Sequence, residues 1–419
     1  MTPENLLKEA FAAAVEAAHP TKHLASFLPP LPKGRLVVVG AGKAAAAMAQ
    51  AVEAHYPLDK LSGLVITRYG HSLETQKIEV IEASHPVPDE AGQQATERIL
   101  EMLEELGQDD LLLCLISGGG SALLCAPDGL TLAEKAELTT QLLNSGADIK
   151  EMNTVRKHLS RVKGGRLAER AYPAKIVSLI LSDVVGDDLS SIASGPTVAD
   201  PTSFADALGI VKAYELDNQK VISLLEEGVN GKRPESPKPN HPAFQNVENI
   251  LVASGQKSLE AAARYFESKG IQAHILSNSV EGEAREVAQV HAAIARQVAL
   301  YNQPFSKPCV LISGGETTVT VKHKGKGGRN GEFALGLAIA LDGLADVYAL
   351  AADTDGIDGS ENNAGATFGP EIFARCSKAE AKSYLVANDS YSFFARAGAL
   401  FETGPTHTNV NDLRLILIL

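Results

Sequence analysis

"LLLCLISGGGSALL", residues Leu111–Leu124, decides how the chain is read. Leu111–Ile116 is apolar at every position, with no polar alternation. Such a run fits a strand buried on both faces, as in a parallel sheet. Three glycines and Ser121 follow, and then an apolar helix start. The pentapeptide LISGG returns at 311–315, inside "CVLISGGETTVTV" (309–321). The flanks of the two copies diverge, so the repeat marks a shared local need and not a duplication. A strand that breaks into Ser-Gly-Gly can pass its backbone beneath a ligand.

Working outward, the same rhythm recurs. "RLVVVG" (35–40) precedes the Ala-rich stretch 43–56, and "GLVIT" (63–67), "IEVIEA" (78–83) and "KIVSLILS" (175–182) are further short apolar runs. Helix-patterned stretches such as 131–144 alternate with them. This alternation predicts an α/β fold, its first domain Rossmann-like with a mostly parallel sheet. The stretch 228–246, "GVNGKRPESPKPNHPAFQN", is rich in Pro, Gly, Asn and Lys and reads as a linker or long loop. Beyond it "NILVASG" (249–255), "QAHILS" (272–277), "PCVLISGG" (308–315) and "DVYALAADTDG" (346–356) restart the pattern. Two α/β domains are expected, 1–235 and 236–419, with an active-site cleft between them. The opening "MTPENLLKEAFAAAVEAA" reads as an amphipathic helix capped by Thr2, not as a signal peptide.

Composition excludes several classes. The chain has 419 residues, no Trp and only 5% aromatics, so its cores are aliphatic. A net charge of −13 argues against a nucleic-acid partner, and no uncharged apolar run reaches the roughly 18–20 residues of a bilayer span. Cys114, Cys125, Cys309 and Cys376 are scattered with no C-x-x-C spacing, which fits reduced thiols and a cytoplasmic location.

The candidate chemistry lies at the strand ends. "GAGKAA" (40–45) offers Gly40, Gly42 and Lys43 at a strand-to-helix turn; its bland reading is a solvated lysine on a tight turn. The dinucleotide fingerprint expects an acid after the second strand, and "LVITRYGH" offers Arg68, with His71 beyond it. "ISGGGSALL" offers Ser117, Gly118, Gly119, Gly120 and Ser121 as an anion nest, or as a plain glycine turn. "NTVRKHLSRVKGGRLAE" (153–169) is the densest basic stretch in an acidic chain, and Arg156 and Lys163 share a helical face. A solvated face is the usual alternative there. "LSDVVGDD" (181–188) places Asp183 and Asp187 where carboxylates hold Mg²⁺ beside phosphates, or merely cap a turn. In the second half "KGKGGRNGE" carries Arg329 and Asn330, "AADTDGIDG" carries Asp353, and "GPTHTNVND" carries Thr406 and Asn409. Cationic glycine turns together with aspartate strand ends are the equipment of phosphoryl transfer.

Taken in order, "GAGKAA", "TRYGH", "SHPVPDEAG", "SGGGSALL", "NTVRKHLSRVKGGRLA", "SDVVGDDLSSIASGPT", "GGRNGE", "DTDGIDG" and "GPTHTNVNDL" resemble the glycerate 2-kinase family with a C-terminal MOFRL domain, here at about 308–415. The resemblance spans nearly the whole chain. It implies ATP- and Mg²⁺-dependent phosphorylation of D-glycerate at its 2-hydroxyl by a monomer or homodimer. It implies Lys43 and Arg329 as catalytic-site cations, with the aspartates of "SDVVGDD" and "DTDGIDG" lining the cleft. Asp187 is the candidate for catalysis, and Asp183 and Asp353 are the candidates for Mg²⁺. Gly40, Gly42, His71, residues 117–121, Arg156, Lys163, Asn330, Thr406 and Asn409 are the candidates for binding substrate or phosphate. The chain departs from the family pattern at Gly331, where Gln is more usual, and at His407, where Gly is usual. Two other readings are an NAD(P)-dependent hydroxypyruvate reductase, a label borne by some family members, and a phosphometabolite-binding module without chemistry. The missing ribose acid speaks against the first, and the paired aspartates against the second.

Overall fold

The computed structural model describes residues 2–419 as two compact units, Pro20–Val252 and a second formed by the N-terminal segment to His19 together with Ala253–Leu419. In the first unit six strands form one sheet: β1 (Leu36–Ala41), β2 (Leu61–Arg68), β3 (Ile78–Ala83), β4 (Leu111–Ile116), β5 (Lys175–Leu181) and β6 (Val247–Ala253). Their order is β3-β2-β1-β4-β5-β6, and the four pairings from β3 through β5 are parallel. This is the doubly wound order of Rossmann-type sheets. β1 and β4 are buried at all positions, as their unbroken apolar runs require. Val37, Val39, Leu112 and Cys114 pack on one face against Ile99, Leu100 and Leu103 of the helix Glu90–Glu104. A separate helical cluster is built on Leu138, Val155, Phe204 and Leu225.

The second unit has a mixed sheet of β7 (Gln272–Glu283), β8 (Cys309–Thr318), β9 (Val347–Asp353), β10 (Gly365–Phe368), β11 (Leu400–Phe401) and β12 (Asp412–Ile418). Its order is β11-β10-β9-β12-β8-β7; β7 and β8 run parallel and the other pairs antiparallel. The helix Pro3–Ala18 belongs here, with Thr2 as its N-cap. Its Leu7, Ala10, Phe11 and Ala14 join the cluster of Leu259, Phe266, Leu413 and Leu415, and Phe11 meets Phe401 edge-on at 5.0 Å.

The units differ from the expected division at 235. The stretch 228–246 is no free linker, because its middle is fastened to the first unit. Glu235 accepts from the His158 ring (2.9 Å) and from the Phe204 N–H (3.1 Å), and Ser236 donates to Asp200 (3.0 Å). Among the described residues no helix is long and apolar enough to cross a membrane.

Candidate active site

β1 and β4 are neighbours, yet the chain leaves β1 for β2 on one side and β4 for β5 on the other. Ligands of doubly wound sheets sit at the carboxyl ends of the strands where the order reverses. Two turns meet there. Gly40 lies in the β1 ladder beside Leu115, and a Cβ on it would come within 2.2 Å of the Leu115 carbonyl oxygen. Gly42 has φ 142°, and a Cβ there would fall 2.0 Å from Ser117 Oγ. The glycines therefore serve backbone packing. The Gly42 N–H donates to Ile66 (3.0 Å), that of Lys43 to Gly118 (2.8 Å) and that of Ala44 to Ser117 Oγ (3.0 Å). The first turn thus spends these three donors within the protein. Ser117 is buried and acts as a brace.

The second turn is different. Gly120 donates to Ser117 (3.1 Å), but among the described residues the N–H groups of Gly118, Gly119 and Ser121 have no protein acceptor. Gly119 adopts φ 81°, the left-handed region that glycine enters without cost. A Cβ on Gly119 would stand 3.0 Å from the His85 ring and 3.6 Å from Lys43 Cγ, so both side chains flank this turn. The sequence signal for His85 is the place of "ASHPVPD" at the end of a strand.

Cations gather around Ser121. Lys163 is fully buried and donates to the Ser121 carbonyl (2.8 Å), Ser121 Oγ (3.1 Å) and the Ala193 carbonyl (3.5 Å). Burial lowers its pKa well below the usual lysine value, and the charges of Lys135 and Arg156 push it further down. Lys135 donates to Cys125 Sγ at 3.0 Å. Burial alone also lowers the Arg156 pKa, with no acid opposing it. Among the described residues none of these three cations has a carboxylate within ion-pair distance. Lys163 fastens the turn to the 193–195 loop. There Ala193, Ser194 and Gly195 all have positive φ (51°, 60° and 62°), and the two non-glycine residues are strained. Gly164 and Gly165 donate to the Ser194 and Gly195 carbonyls, and Ser194 Oγ lies 2.9 Å from Ser121 Oγ.

Asp183 follows β5, and Asp187 has φ 54° with its N–H on the Val184 carbonyl (3.1 Å). Asp188 accepts from the Ser190 N–H and the Ser190 and Ser191 hydroxyls. Burial pushes its pKa up, but these bonds and the Lys157 charge outweigh that and hold it below the usual range. His71 is buried just past the end of β2. Among the described residues no three His, Cys, Asp or Glu side chains form a ready metal cluster. Mg²⁺ is usually held by one or two carboxylates plus phosphates, which a strand-end Asp183 suits.

In the second unit Glu316 near the end of β8, Asp353 at the end of β9 and Asp412 at the start of β12 meet because β12 runs against both neighbours: Asp412 is in register with Gly315 and Asp353. Arg329, first residue of the helix Arg329–Leu341, bonds all three, at 2.8, 2.9 and 2.7 Å. Burial lowers its pKa, but the three acids raise it more strongly and keep it charged. Asn330 donates to Asp412 (2.7 Å), and Asp412 also pairs with the fully buried Arg414, which lies 5.1 Å from the Phe333 ring centre. Asp353 accepts from the Asp355 N–H (3.0 Å) as well as from Arg329, so a metal there would compete with the guanidinium. Thr406 donates to the Thr354 carbonyl and Asn409 accepts from the Asn411 N–H (3.4 Å); both brace loops. His407 has φ 56°, which is why glycine suits that position.

Asp358 caps the same helix, accepting the Asn330 and Gly331 N–H groups (2.9 and 2.7 Å). Burial raises its pKa to about 6, the Asp412 charge adds to this, and the two N–H groups and Arg329 oppose it. A folded pKa above the unfolded value near 4 means the native state binds the proton more tightly. Asp358 therefore subtracts stability as pH rises from about 4 to about 6, by about 3 kcal/mol at 1.36 kcal/mol per unit. Urea melts across that range should show Asp358→Asn removing this decline.

The geometry defines a doubly wound α/β protein with an anion cradle at its switch point, followed by a mixed sheet built on a buried arginine–carboxylate centre. A family model described as Domain of unknown function (DUF4147) matches residues 6–226, and that of the MOFRL family matches 309–412. The D-glycerate 2-kinase of Thermotoga maritima is 43% identical, over 99% of each chain. An Agrobacterium vitis protein provisionally named a hydroxypyruvate reductase is 49% identical, over all of this chain and 95% of its own. The crystal structure of a Thermotoga maritima glycerate kinase superposes with a TM-score of 0.89 at 41% identity, over 99% of both chains. The chain belongs to the glycerate 2-kinase family with a C-terminal MOFRL domain.

Proposed function

We propose that the chain is a glycerate kinase that transfers a phosphoryl group from ATP, with Mg²⁺, to the 2-hydroxyl of D-glycerate, giving 2-phosphoglycerate. The observation that carries this reading is the Ser117–Ser121 turn, whose free N–H groups and acid-free cations surround the point where a doubly wound sheet binds anions. The names of the relatives support glycerate as one anion, and a kinase reaction implies a nucleotide as the other. Lys43 is assigned to charge stabilisation on the transferred group, the Gly118, Gly119 and Ser121 N–H groups to phosphate, and Asp183 to Mg²⁺. Asp187, partly exposed on its loop, is assigned to accept the hydroxyl proton. Within the second unit, Arg329, with Asp353 and Asn330 beside it, is the candidate cation. Mg²⁺ would neutralise phosphate charge when bound; the chain's own groups orient the reactants.

The doubly wound order and the reductase name favour a dinucleotide reading. The first turn opposes it, because the N–H groups of Gly42, Lys43 and Ala44 are all engaged within the protein. Incubation with D-glycerate, ATP and Mg²⁺ should give ADP release that EDTA abolishes. Hydroxypyruvate with NADH or NADPH should give no oxidation. Oxidation at a rate equal to any ADP release would overturn the kinase reading.

A further inference from the structure

We infer that Arg156 binds the carboxylate of the acceptor and makes an acid group a requirement for the substrate. This rests on the kinase reading above. The helix Ile149–His158 starts in a capping box of Asp148 and Glu151, which fixes its register. Asn153 and Arg156, three residues apart, share a helical face. Asn153 is buried and accepts from Ser194 Oγ (3.4 Å), which in turn meets Ser121 Oγ (2.9 Å). That face is therefore turned toward the Ser117–Ser121 cradle.

The other cations of 153–169 are engaged. Lys157 lies 3.7 Å from Asp200, Arg161 pairs with Glu97, Lys163 holds Ser121, and Arg166 donates to the Pro234 carbonyl (3.0 Å). Among the described residues Arg156 has neither hydrogen bond nor ion pair, though it is partly buried in a chain with 51 acidic residues. An uncompensated, desolvated guanidinium is costly, and a bound anion offsets that cost. The planar fork of arginine matches a carboxylate through two parallel bonds. The cradle's N–H groups with Lys43 are the donors suited to a phosphoryl group, which leaves Arg156 for the second anion of the reaction.

The test compares wild type, Arg156→Met and Arg156→Lys by steady-state kinetics, with circular dichroism confirming that each variant is folded. Arg156→Met should raise KM for D-glycerate about 10- to 100-fold, with KM for ATP unchanged. Arg156→Lys, which keeps the charge but not the fork, should recover only part of this. The wild-type preference for D-glycerate over its uncharged amide should collapse in Arg156→Met. An unchanged KM for D-glycerate, or a rise confined to ATP, would overturn the inference while leaving the kinase intact. If wild type shows no transfer, the kinase reading fails. Calorimetric titration of D-glycerate alone into wild type and Arg156→Met then decides the inference: weaker binding by the variant supports it and equal binding refutes it.

Discussion

Arg329→Met is expected to lower the stability of the protein by about 3–5 kcal/mol, because removing one partner of a largely buried ion pair leaves the others uncompensated. Three carboxylates converge on this guanidinium, and Asp412 is fully buried. Arg414 still pairs with Asp412, but Asp353 and Glu316 lose their cation. Thermal melts at pH 7 should show a fall on the order of 10 °C. Activity assayed well below the melt should also fall, by about 10²–10³-fold, if the same guanidinium stabilises transferred charge. The two effects are separable: a destabilised variant with full kcat would make Arg329 purely a clamp on the sheet ends. A variant as stable as wild type would contradict the three-carboxylate geometry itself.

Lys43→Met is expected to behave differently, with the fold intact and kcat reduced about 10²–10³-fold, the effect of removing one preorganised donor at a developing charge. The backbone of Lys43 helps to hold the two turns together, through its N–H on the Gly118 carbonyl, and the substitution keeps that bond. Its side chain flanks Gly119, beside the free N–H groups. Urea unfolding should match wild type within about 0.5 kcal/mol, as for substitutions away from buried networks. Activity within threefold of wild type would remove Lys43 from the chemistry.

The first unit was legible in the sequence because parallel strands buried on both faces are unbroken apolar runs, and β1, β4 and β5 fall within a residue or so of where those runs lie. The site turns were legible because glycines mark close backbone approach. What glycine letters do not reveal is which N–H groups remain free: Gly42 and Gly119 look alike in sequence, yet only Gly119 keeps its donor. The Arg329 centre was half visible. Asp353 stands out at a strand end, but Asp412 closes the polar run "GPTHTNVND" and carries no such signal. Its partnership with Arg329, 83 positions away, arises because antiparallel β12 sets Asp412 beside Gly315 and Asp353. Pro and Gly content says nothing of whether a loop is fastened, as Glu235 and Ser236 fasten this one. The partner of the first helix was unreadable for the same reason: an amphipathic face declares that it is buried, not against what.

Phosphoryl transfer to the 2-hydroxyl of glycerate is told from transfer to the 3-hydroxyl by the product. Phosphorus-31 NMR of the product formed from D-glycerate, ATP and Mg²⁺ tests it most directly. A single new phosphomonoester resonance coincident with authentic 2-phosphoglycerate should appear together with ADP. A resonance coincident with 3-phosphoglycerate, or none in the presence of folded protein, would contradict it.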